Sequence, residues 1–155
     1  MGETEKLVDL LERSFSGNSW HGPAVKEALA GIDGAKASAR PIPTAHTIWE
    51  LVLHIGGWTD VVRRRIEGEH LKEPQEGDFP PVADSSETGW QNTLKDLEAR
   101  HNALKETIAR KLDDPELGQL PYPGAKASSY VNLAGAAHHY IYHAGQIALL
   151  RKALE

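Results

Sequence analysis

Apolar residues recur at helical spacing along four long stretches of this chain, and no stretch alternates in the manner of a half-buried strand. Leu7, Leu11 and Phe15 share one stripe, which predicts a first helix from about Glu3 to Phe15. Ser16-Gly17-Asn18-Ser19 breaks it. Pro23 suits the first turn of a short helix ending near Gly31, and Ile32 to Pro43 reads as connection. A second long helix is predicted from Thr47 to Glu67. Thr47 and Glu50 fit a capping box at its start, and Gly68 stops it. Glu69 to Asp84 holds Pro74, Pro80 and Pro81 and reads as a long loop, a length that often serves a lid or a binding site.

The third long helix is predicted from Ser86 to Leu112. Trp90, Leu94, Leu97, His101, Leu104 and Ile108 alternate spacings of four and three, as in a bundle seam. A second loop holds Pro115, Pro121, Pro123 and Gly124. The fourth helix runs from Ser129 to Leu154, with Ser128 or Ser129 as its cap. At a rise of ~1.5 Å per residue it spans roughly 37 Å, about the length of the third. Long helices of this kind joined by long loops make an all-α four-helix bundle the simplest architecture. Trp20, Trp49, Trp58 and Trp90 are expected as core aromatics, with Trp58 also able to wall a pocket.

The 155 residues suit one domain, spanning 1–155, and can bury a core without disulfide staples. The chain has no cysteine, which excludes a disulfide framework, a cysteine-based zinc site and a thiol nucleophile of its own. A net charge of -5, from 17 basic and 22 acidic residues, argues against a nucleic-acid surface. No apolar run reaches membrane-spanning length and the N-terminus lacks a signal-peptide core, so a cytoplasmic protein acting on a small molecule is expected.

Candidate chemistry lies in the histidines. His139 and His143 stand one helical turn apart and project from one face, together with Asn132, Gln146 and Leu150. His54 sits in the apolar stripe of Leu51, Trp58 and Val61. A buried imidazole needs partners for both nitrogens, which a metal on one and a hydrogen bond on the other would provide. If the two helices pack together, three imidazoles converge on one divalent ion and leave a coordination position open. The competing reading is three core histidines bonded to backbone or water. His138 points about 100° away from His139 and is not expected to reach the ion. His101 could line the same cavity from its seam position, and His46 is expected to be solvated. Glu50, one turn before His54, is a candidate catalytic base, although its capping role competes. Gln146 is a candidate for orienting a ligand or binding substrate.

These landmarks, Thr47 to Ile55 around His54 and His139 to Ile147 with its His-Ala-Gly-Gln ending, resemble the DinB-like (DinB/YfiT-like) family of four-helix-bundle metalloproteins over nearly the whole chain. The family is unrelated to the translesion polymerase of similar name. The resemblance implies a metal at His54, His139 and His143. It also implies either transfer of a low-molecular-weight thiol to a small electrophile or metal-dependent hydrolysis. In the maleylpyruvate isomerase type an acidic residue takes one ligand position; His139 stands there in this chain, which argues against that activity. Imidazole donors suit zinc, nickel, copper and iron alike, so availability decides among them; zinc or nickel is expected first, with iron, copper and manganese as alternatives. A low-molecular-weight thiol would serve as co-substrate. The rival reading is a non-catalytic metal-binding or stress-response bundle. A homodimer is also expected, with Leu10, Ser14, Ala144, Ala148 and Leu149 as the residues available for pairing.

Overall fold

A computed structural model describes residues 1–155. Its elements are all helical: α1 (Glu3–Ser16), α2 (Val25–Leu29), α3 (Gly34–Ser38), α4 (Ile48–Ile66), α5 (Glu87–Lys111), α6 (Asp114–Leu117) and α7 (Ser129–Ala153). The four long helices form a bundle in which α4 lies between α5 and α7, and α1 closes the ring against α7 and α5. No helix is long and apolar enough to cross a membrane.

The long helices begin where side chains can satisfy their first N–H groups. Thr47 accepts from the Glu50 amide at 3.1 Å while Glu50 accepts from the Thr47 amide at 2.9 Å, so the capping box is complete. Ser86 and Ser128 cap α5 and α7 by accepting from the Gly89 and Val131 amides, without the reciprocal bond. At α1 the residue before the helix is Gly2, which has no side chain to offer. Asp114 of α6 supplies the acceptor instead, taking the Glu3 and Thr4 amides at 2.9 and 2.8 Å.

Two short helices fall where connection was expected. α3 occupies the middle of Ile32 to Pro43, started by Asp33, whose carboxylate accepts from the Lys36 amide. α6 occupies the start of the second loop, with Pro115 in its first turn. Trp49 and Trp90 are core residues with tilted rings 5.2 Å apart, and the Trp90 indole donates to the Ile32 carbonyl. Trp20 departs from expectation and is fully exposed, because it lies in the turn between α1 and α2 with no element over it. Of the residues named for pairing, Ser14 and Ala144 are buried within the chain, whereas Leu149 is exposed.

Helix direction explains the long loop. Trp49 reaches Thr93 near the starts of α4 and α5, and Glu67 reaches Thr107 and Arg110 near their ends, so these neighbours run parallel. The chain leaving α4 must therefore return the full length of that helix, roughly 28 Å, before α5 begins. Residues 67–86 make this return along the outside of the bundle. They lie close to α4 at Gly57, where an added Cβ would stand 3.1 Å from the Pro74 ring. Arg100 of α5 pairs with Glu76 and fastens the same stretch from the other side. α7 runs antiparallel to α4: Thr59 faces Tyr140, Arg65 faces Asn132, and His54 faces His139.

Candidate metal centre

His54 projects from the middle of α4, and His139 and His143 from successive turns of α7. Because these helices pack side by side, the three rings meet. The His139 Nε2 atom lies 3.0 Å from His54 Nε2 and 3.0 Å from His143 Nε2. The ring centroids are 4.4 to 4.9 Å apart.

The outer nitrogens decide what the inner ones can do. His54 Nδ1 lies 2.8 Å from the Asp78 carbonyl oxygen and 3.1 Å from its Oδ1. His143 Nδ1 lies 2.7 Å from Gln146 Oε1. Both contacts are to acceptors, so each Nδ1 carries the proton and each Nε2 presents a lone pair to the centre. Both lone pairs point at His139 Nε2, 3.0 Å away, where they are met either by a proton on that nitrogen or by a cation among the three rings. Nitrogens each ~2.0–2.1 Å from one ion stand ~2.9–3.4 Å apart for right-angled to tetrahedral arrangements. The donor set therefore fits a divalent ion. Burial holds the His139 pKa down at about 3, with the neighbouring His143 and His54 adding to the effect. Burial also lowers that of His143, against the opposing hydrogen bond to Gln146. Neutral rings are the form that ligates.

A family profile described as the DinB superfamily matches residues 19–146, well over half of the chain. The chain belongs to the DinB superfamily. No curated protein and no solved structure matches it. The histidine cluster of this DinB chain is compatible with a metal-binding site within an all-helical bundle.

The remaining candidates divide by position. Trp58 stands edge-on to His54, and its indole donates to Asp78 Oδ1 at 2.7 Å. It also walls a cavity of about 270 Å³ that opens beside His139 between α4 and α7. His101 lies elsewhere, fully buried and stacked on Phe15, with Tyr140 on Nδ1 and Glu12 on Nε2 at 3.2 Å each. It does not line the cavity beside His139. Its ring packs between Phe15 and Glu12 of α1 and Tyr140 of α7, away from the three histidines. Glu50 is committed to its cap and to Arg40 at 2.6 Å, so it is not aimed at His54. His138 is exposed on the far face of α7.

Asp78 and Phe79 were not singled out from sequence. Phe79 stacks flat between His54 and His46, with centroid separations of 4.1 and 3.7 Å. Both belong to the returning loop and carry no periodic signal. The nearest hint was Gly56-Gly57 in the middle of an apolar helix, a pattern that can mark close approach of another segment.

Proposed function

We propose that the chain is a metal-dependent enzyme that transfers a small thiol to an electrophilic small molecule, with His54, His139 and His143 as the ligands. The supporting observation is the cavity: it ends at His139, and no carboxylate lines it. A divalent ion held there would supply Lewis acidity and favour the thiolate over the thiol. In the transfer a carbon–sulfur bond forms, the leaving group departs with its electron pair, and the thiol proton passes to solvent.

The protein's own part is to hold and shield. Trp58, Val62, Val131 and Ala136 give the cavity apolar walls that suit an uncharged carbon skeleton. His139 is the one member of the triad in that wall. Asp78 and Gln146 fix the tautomers of the other two. Hydrolysis, the other activity expected from sequence, would call for a base or acid beside the substrate. The nearby carboxylates of Asp78 and Glu50 are already engaged, so thiol transfer is the better-supported reading. The chain has no cysteine, so the sulfur must come from a second substrate.

The test is to load the protein with zinc, nickel or manganese and incubate it with a panel of small thiols, alkylating electrophiles, esters and amides. Mass spectrometry should show thioether products that His139→Ala does not form. Ester or amide cleavage alone would favour hydrolysis. Metal uptake with no turnover of any pair would favour a non-catalytic bundle.

A further inference from the structure

We infer that the cavity beside His139 takes a small organic acid whose carboxylate docks on Arg65. This rests on the reading of that cavity as the substrate site. The chain has eight arginines, and seven of them have a carboxylate within 4.0 Å. Arg65 has none. It lines the cavity between Trp58 and Asn132, and no acidic side chain shares that wall.

Its other contacts hold the guanidinium in place and leave its charge unmet. Nε donates to the Leu71 carbonyl at 2.8 Å, Nη2 to the Lys72 carbonyl at 3.2 Å, and Nη1 to Asn132 Oδ1 at 3.4 Å. The Trp58 ring lies 5.9 Å below it. A guanidinium has five N–H donors. Three are used, so one remains on each terminal nitrogen, the pair that a carboxylate can engage through both oxygens. A second recess, on the other side of Arg65 and Asn132, holds Lys72 and Lys126 and again no acid. Neither lysine is in an ion pair, so the surroundings of Arg65 are locally positive in a chain of net charge -5.

The helix sets the size of the guest. Asn132, which touches Arg65, lies seven residues before His139 on α7. That is an axial distance of roughly 10 Å. An acid whose reacting atom lies about that far from its carboxylate can reach both ends, which corresponds to a chain on the order of eight atoms.

The experiment uses the full chain, ¹⁵N-labelled and metal-free, titrated with octanoate and with its neutral isostere octanamide. The Trp58 indole and Arg65 Nε–H resonances report binding. Octanoate is expected to bind at least about tenfold more tightly than octanamide. Arg65→Met should erase that preference by weakening octanoate far more than octanamide, and Arg65→Lys should keep most of it. Lys72→Met combined with Lys126→Met should retain it as well. Equal binding of the two probes by the unsubstituted protein overturns the inference, as does a preference that survives in folded Arg65→Met. If Arg65→Met does not fold, Arg65→Gln takes its place under the same criteria. A separate zinc dialysis keeps the outcomes apart: a protein that binds no zinc refutes the metal centre, whatever octanoate does.

Discussion

Replacing Gln146 with alanine should weaken metal binding more than replacing Asp78 does, although Asp78 is the residue that carries charge. Each side chain faces the outer nitrogen of one histidine. Loss of such a partner typically lowers metal affinity about 10- to 100-fold. The structure places the two at opposite ends of that range. In Asp78→Ala the backbone carbonyl remains 2.8 Å from His54 Nδ1, so the proton stays on the outer nitrogen and the inner lone pair stays on the ion. What is lost is a carboxylate oxygen at 3.1 Å, on a side chain about half exposed to solvent and therefore screened. The expected loss is about tenfold or less. In Gln146→Ala the only oxygen on His143 Nδ1 disappears, and with it the preference for the productive tautomer. The expected loss is nearer a hundredfold. Competition for zinc against a chelator of known affinity reads both values at pH 7.5. Affinity of Gln146→Ala within twofold of the unsubstituted protein would refute the argument. So would a larger loss in Asp78→Ala than in Gln146→Ala.

Other expectations can be checked on the same material. His139→Ala should lose metal severely while exposed His138→Ala keeps it; elemental analysis of the purified variants decides, and the reverse result would exchange their roles. Tyr140→Phe should cost about 1–3 kcal/mol, because a neutral His101 donates to Glu12 and needs the Tyr140 hydroxyl on its other nitrogen. For a chain of this size that is a fall of roughly 2–4 °C per kcal/mol in Tm, and a change below about 0.5 kcal/mol would exclude the network. Glu12 is held ionised by Lys105 and Ser16, with a pKa of about 2. Its depressed value means that its contribution is full above about pH 4.5 and fades as pH falls toward 2. Urea unfolding of the unsubstituted protein and Glu12→Gln should therefore converge across that window, and a gap of constant size from pH 5 to pH 2.5 would contradict this.

The long helices and the meeting of the three histidines were legible because their signals are local. Thr47, Ser86 and Ser128 announce their helices through bonds made within three residues. The azimuth of His139 and His143 follows from spacing alone. Partner choice was not legible. The period placed His101 on a buried seam, but it cannot say that Phe15, Glu12 and Tyr140 are the neighbours the seam meets. α3 and α6 were missed because helices of five and four residues are too short to show a period. Asp78 and Phe79 were missed because their position depends on α4 and α5 running parallel, a property of the assembled bundle. Glu50 could be read either as a cap or as a base, and the arrival of Arg40 made it a cap.

The returning loop also bears on time. Pro74 rests on Gly57, Glu76 is tied to Arg100, Leu71 and Lys72 are tied to Arg65, and Phe79 lies flat over His54. An ion entering or leaving on that side must wait for these fastenings to open together, a local unfolding with its own free energy. Exchange by that route, as opposed to the cavity beside His139, would be paced by the strap as well as by the strength of three nitrogens. A bulkier residue at position 57 would press on Pro74 and speed exchange by the loop route without touching any atom that binds the ion.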